Sequence, residues 1–161
     1  MDSQPVLRSA GSQDIPSLVE LRLEFMRIVK DGGIPNEDGW RQGLEAYFCA
    51  WMARGRLKAW LAQDEAQTVA TAALRLDRPR KDPGRGWDGY VMSVYTCPEW
   101  RHRGLARALM GQVIQEASAL GLARLVLHPT PASLSLYTSL GFRPFRQVMI
   151  LGKEKFHEAQ D

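Results

Sequence analysis

The sequence has little cysteine: Cys49 and Cys97 stand far apart, outside any C-x-x-C pair and without a nearby histidine pair. That excludes a disulfide framework and a thiolate zinc site, so no metal is expected, and it points to a reducing, cytoplasmic setting. No apolar run approaches the ~20 residues that cross a bilayer, and residues 1–14 lack the apolar core and cleavage pattern of an export signal. A soluble protein with no membrane partner is expected. No G-x-G-x-x-G follows an early strand, which disfavours a dinucleotide-binding fold, and there is no internal repeat or low-complexity tract. Neither sign of charge dominates, since 21 Lys and Arg face 18 Asp and Glu. The densest basic loop, Arg78, Arg80 and Lys81, is interrupted by Asp77 and Asp82, which disfavours a nucleic-acid partner.

What is present suits one domain over residues 1–161, with 45% hydrophobic residues to build a core. Residues 6–8 read as a short opening strand. Asp14 offers an N-cap and Pro16 a first-turn proline for a helix whose inward stripe is Ile15, Leu18, Val19, Arg22, Met26 and Val29, ended by Gly32 and Gly33. Asn36 caps a second helix with Trp40, Leu44, Tyr47, Phe48 and Trp51 on one stripe. Residues 58–63 and 68–76 read as a strand hairpin, residues 77–88 as a loop, and residues 89–96 as a strand covered on both faces.

The clearest helix spans residues 104–120, with Leu105, Leu109, Val113 and Ala117 in one row and Ala106, Met110 and Ile114 beside it. A buried strand at 125–127, a short helix at 132–140 ended by Gly141, and a last strand at 145–151 complete the order. The implied architecture is α/β (α+β), a mixed sheet with helices on both faces.

Chemistry concentrates where the strand at 89–96 passes through Pro98 into the helix at Gly104. A helix N-terminus presents unpaired N–H groups and partial positive charge, Gly104 lets an anion approach the backbone, and Arg101, Arg103 and Arg107 surround the opening. The stretch Val94-Tyr95-Thr96-Cys97-Pro98-Glu99-Trp100-Arg101-His102-Arg103-Gly104-Leu105-Ala106 resembles the CoA-binding motif of the GNAT superfamily of N-acyltransferases, Q/R-x-x-G-x-G/A after a strand. Leu136-Tyr137-Thr138-Ser139-Leu140-Gly141-Phe142 resembles that family's downstream signature.

The resemblance implies a mostly antiparallel central sheet of six to seven strands flanked by about four helices. It also implies an enzyme that moves an acetyl group from acetyl-CoA directly to a primary amine. The backbone of Val94, Tyr95 and Thr96 would pair with the pantetheine arm, the amides of Arg101, His102, Arg103, Gly104, Leu105, Ala106 and Arg107 would hold the pyrophosphate, and Tyr137 would protonate the departing thiolate. Family members often form homodimers.

Two family positions differ. A strand glutamate used by some members as base maps approximately to Tyr90, leaving Asp88 or a water relay as candidate base, although Asp88 reads more readily as a loop cap. A downstream asparagine is replaced by Thr130. His128 and Glu24 are weaker candidates for acceptor contact, and the aromatic stripe of the second helix either walls an acceptor pocket or forms plain core. The missing carboxylate also motivates an alternative, a CoA-binding sensor or regulatory module of the same fold.

Overall fold

The computed structural model describes residues 4–78, 84 and 86–145. They form two compact units, divided between His128 and Pro129.

In the first unit, strand β1 (Val6–Ser9) leads through a short 3-10 turn into α1 (Ile15–Val29). Asp14 precedes α1 without capping it: its carboxylate accepts from Arg8 at 2.7 and 2.9 Å and from the Gly11 N–H at 2.8 Å, tying β1 to the start of the helix. Helix α2 (Glu37–Ala53) is capped as expected, the Asn36 Oδ1 accepting from the Gly39 N–H. Arg27 with Glu37, and Arg41 with Glu20 at 2.7 Å, link the two helices across their exposed rim.

Strands β2 (Leu57–Asp64), β3 (Gln67–Asp77), β4 (Asp88–Thr96) and β5 (Arg124–Val126) complete a five-stranded sheet ordered β1-β2-β3-β4-β5. All pairs are antiparallel except β4 with β5, which is parallel. Five strands lie among the described residues, and the strand expected at 145–151 falls, after Phe145, outside them.

One face of the sheet, through Leu57, Ala59, Leu61 and Ala73, packs on Ile15, Leu18, Val19 and Leu23 of α1 and Phe48 of α2. The opposite face meets α3 (Leu105–Ala119), to which Lys58 of β2 is joined by an ion pair with Glu116. Alternation along a strand explains the division: Leu57 and Ala59 point one way, Lys58 the other.

The expected row on α3 is buried throughout, but Ile114 is 36% exposed, because the stripe covered by the sheet is narrower than the apolar stripe of the sequence. On α2 Phe48 alone is fully buried, so the aromatic stripe is mostly a half-exposed wall rather than core. Strand β5 is half-buried, not buried as its apolar sequence suggested.

The second unit contains a 3-10 turn (Pro131–Ser133) and helix α4 (Leu134–Ser139). Tyr137 is its buried residue, its ring 5.8 Å from that of Phe142 in an edge-on contact.

Candidate functional site

Strand β4 changes character halfway along. From Asp88 to Tyr90 it is paired on both sides, with β3 and with Arg124, Leu125 and Val126 of β5. Past Tyr90 the β5 side has no strand partner among the described residues.

A register shift against β3 falls in the same stretch, where two steps on β3, Thr71 to Ala73, face three on β4, Tyr95 to Met92. Ser93 lies inside this bulge at φ +53°, its carbonyl accepting from the Thr71 Oγ1 at 2.8 Å and its own buried hydroxyl without a hydrogen-bond partner among the described residues. A bulge turns a strand away from its neighbour and increases its twist, so the backbone of Val94 and Tyr95 forms an open edge. The Thr96 carbonyl is already used, accepting from Arg101 Nε at 3.1 Å.

The chain then passes a 3-10 turn (Pro98–Trp100) and enters α3 through two residues with left-handed backbone, His102 at φ +61° and Gly104 at φ +78°. The first helical hydrogen bond runs from the Ala108 N–H to the Gly104 carbonyl. Helix geometry therefore leaves the N–H groups of Gly104, Leu105 and Ala106 without intrahelical acceptors. A Cβ built on Gly104 meets nothing within 4 Å, so the space over this turn is open, and the backbone angle itself favours glycine. An elongated anionic ligand fits both features: an unpaired strand edge and, at its end, a cluster of amide donors with positive dipole.

The arginines nearby act mainly on the loop. Arg101 lies 5.7 Å over the Tyr95 ring, and Arg103 lies 4.7 Å over Trp100 while donating to the Glu99 carbonyl at 3.3 Å.

Side chains around the end of β4 are weak acids that stay protonated. Burial, then the charges of Glu24 and Glu99, push the Cys97 thiol up to about 11. Burial followed by Glu24 raises Tyr95 as well, which places Glu24 of α1 beside this end of the strand. In the second unit, burial alone pushes Tyr137 up to about 12.

Asp88 is 8% exposed and accepts from Arg124 at 3.0 Å, so it braces β4 against β5 and does not project into an open site. Tyr90, to which the family's strand glutamate maps approximately, shares a 2.9 Å hydrogen bond with His128 Nδ1.

Beside Tyr90 on the α1/α2 face, Arg75 donates to Asp77 at 2.7 and 2.8 Å and to the Tyr47 hydroxyl at 3.2 Å, with its guanidinium 4.8 Å from the Tyr90 ring and 5.5 Å from that of Trp51. Sequence reasoning missed Arg75. Its one signal was a charge in an otherwise apolar strand.

A cavity of about 580 Å³ lined by Ser9, Cys49, Lys58 and Glu116, among others, includes none of these residues. Among the described residues no group of acidic, histidine and cysteine side chains is arranged to hold a metal, and no helix is long and apolar enough to cross a membrane.

A mixed sheet whose fourth strand bulges open and feeds a glycine-opened helix defines an acyltransferase class of fold, and comparison with known proteins agrees. The chain belongs to the acetyltransferase (GNAT) family, whose sequence profile matches residues 16–142. It is similar to a glucosamine 6-phosphate N-acetyltransferase of Trypanosoma brucei brucei, 28% identical over 94 residues, a match covering 58% of this chain and 63% of that relative's length.

Among solved structures it is similar to a predicted acetyltransferase from Clostridium acetobutylicum determined with acetyl-CoA. That likeness has TM-score 0.81 and 27% identity, and covers 94% of this chain and 98% of the other. A GCN5-related N-acetyltransferase from Ralstonia eutropha shares the fold at TM-score 0.80 and 21% identity, over 91% of this chain and 97% of the other.

Proposed function

We propose that residues 1–161 act as one acetyl-CoA-dependent N-acetyltransferase domain that moves the acetyl group directly to a primary amine. One observation carries the reading: the bulge at Ser93 frees the edge of β4 at Val94 and Tyr95, and that edge runs into the amide donors of Gly104, Leu105 and Ala106. The pantetheine arm pairs with the edge as an added strand, the pyrophosphate sits over Gly104 with the turn from Arg101 to Arg107, and the β4 backbone polarises the thioester carbonyl.

Tyr137 supplies the proton for the CoA thiolate. A phenol held near 12 is protonated at neutral pH, so it carries the proton that this role requires. Direct transfer is favoured over an acyl-cysteine intermediate because Cys97, held near 11, is a thiol rather than a thiolate at neutral pH. The relative named for glucosamine 6-phosphate supports an amine as acceptor.

Calorimetric titration with acetyl-CoA, using CoA and NAD as comparators, followed by measurement of CoA thiol release with a panel of amines, tests the proposal. Binding of acetyl-CoA with amine-dependent thiol release is expected. Binding with no release from any amine favours the CoA-binding module, and no binding overturns the reading.

A further inference from the structure

Most of the described arginines of the first unit have a hydrogen-bonding or charged partner: Arg56 donates to the Leu76 carbonyl, Arg101 to that of Thr96 and Arg103 to that of Glu99, and five others pair with carboxylates. Arg8 pairs with Asp14, Arg27 with Glu37, Arg41 with Glu20, Arg75 with Asp77 and Arg124 with Asp88. Arg22 is half-buried on α1, yet among the described residues it has neither a carboxylate partner nor a side-chain hydrogen bond. Its guanidinium lies 5.3 Å over the Phe25 ring. Burial pulls its pKa down, and the Tyr47 and Tyr90 hydroxyls, which lie near enough to interact with it, oppose that shift.

An arginine removed from water without an anion is costly, and its five donors are arranged for bidentate recognition of a carboxylate or phosphate. Arg22 stands on the inward stripe of α1, where Leu18 and Val19 below it are buried, within interaction distance of Tyr47 and Tyr90. Arg75 is paired with Asp77, whereas Arg22, beside the Tyr47 and Tyr90 hydroxyls, has no carboxylate partner among the described residues.

We propose that the acceptor carries an anionic group, a carboxylate or a phosphate, which Arg22 binds on the α1/α2 side of β4 between the hydroxyls of Tyr47 and Tyr90. The proposal rests on the acyltransferase reading for the identity of the ligand as the acceptor. It also sets a size: a strand advances about 3.3 Å per residue, so Tyr90 lies on the order of 10 Å from the open edge at Val94. That is the span of a small molecule with an amine at one end and an anion at the other.

Two pairs of amines, glucosamine 6-phosphate with glucosamine and glycine with glycinamide, measure the preference for each anion in thiol release. Wild type is expected to favour the anionic member of at least one pair in kcat/KM. Arg22→Gln should reduce that preference about ten- to a hundredfold, acting mainly through KM. Arg22→Lys, which keeps charge and packing, should fall between.

In parallel, calorimetry with inorganic phosphate and with acetate compares wild type with R22Q. Anion bound at the α3 N-terminus is common to both proteins and cancels. Stronger binding of either anion by wild type supports the site even if acetyl-CoA fails to bind, an outcome that would overturn the acyltransferase reading alone. Equal use of charged and neutral amines, or anion binding unchanged in a folded R22Q protein, overturns the Arg22 proposal.

Discussion

The two halves of β4 teach different lessons about one strand. From Asp88 to Tyr90 it is held on both sides, its Asp88 locked to Arg124, and Gly89 is enclosed so closely that a Cβ there would stand 2.7 Å from methyl groups of Leu125 and Leu74 and 2.9 Å from Leu122. From Ser93 onward the strand keeps β3 but has no β5 partner, and the next glycine of the chain, Gly104, faces open space. Two glycines thus serve opposite ends, the first because there is no room for a side chain, the second because of its backbone angle and the space it leaves over the turn. The paired half supplies rigidity against which the open half can present unmatched backbone groups to a ligand.

The sharpest way to break this comparison is to remove the acid assigned to work with the open half. Tyr137→Phe is expected to lower kcat by about a hundredfold or more while acetyl-CoA affinity, measured by calorimetry, stays near wild type. Unchanged turnover would remove Tyr137 from the mechanism.

Next in size, Gly104→Val puts a β-branched side chain at φ +78° over the turn proposed to hold the pyrophosphate. It should weaken acetyl-CoA binding roughly a hundredfold and cost about 1–2 kcal/mol of stability. Equal binding by the variant would show that the ligand does not approach this turn.

Gly89→Val tests the closed half. Overpacking against Leu74, Leu122 and Leu125 should lower unfolding stability by about 1–3 kcal/mol in denaturant titration, with acetyl-CoA affinity much less affected than by the change at Gly104. The reverse order of effects on affinity would mean that the two halves are not separable.

The smallest effect should come from Asp14, far along the chain from β4. The Arg8 guanidinium, assisted by the Gly11 amide, holds the Asp14 carboxyl below the usual carboxylate range. A depressed folded pKa adds stability that is complete above the unfolded value of about 4 and is lost as pH falls through the folded one. Thermal melts from pH 7 down to pH 3 should show a slightly steeper loss for wild type than for Asp14→Asn, with acetyl-CoA binding at pH 7 the same in both.

Much of this was legible beforehand for identifiable reasons. Helix α3 declared itself by Leu105, Leu109, Val113 and Ala117, because a period near 3.6 over fifteen residues has few other readings. Gly104 stood out because a glycine between arginines at a strand-to-helix passage has a specific use. Arg22 was placed on the inward stripe of α1, and a charge on an apolar face was a signal whose meaning waited on knowing what it faced.

The misreadings share a cause. Asp14 looked like a cap but faces a nearer cation, Arg8, and Ile114 looked like core but lies beyond the edge of the surface that covers α3.

By itself the sequence determined where most helices and strands form, which stripes are apolar, and that a glycine opens the strand-to-helix passage at Gly104, since each depends on periodicity or on one residue's steric freedom. Only the tertiary structure decided that Asp88 is committed to Arg124, that Tyr90 meets His128, that β4 parts from β5 after Tyr90, and that Arg22 has no carboxylate partner among the described residues. Those facts are pairings between residues distant in the chain, and a pairing becomes visible only when folding brings both members together.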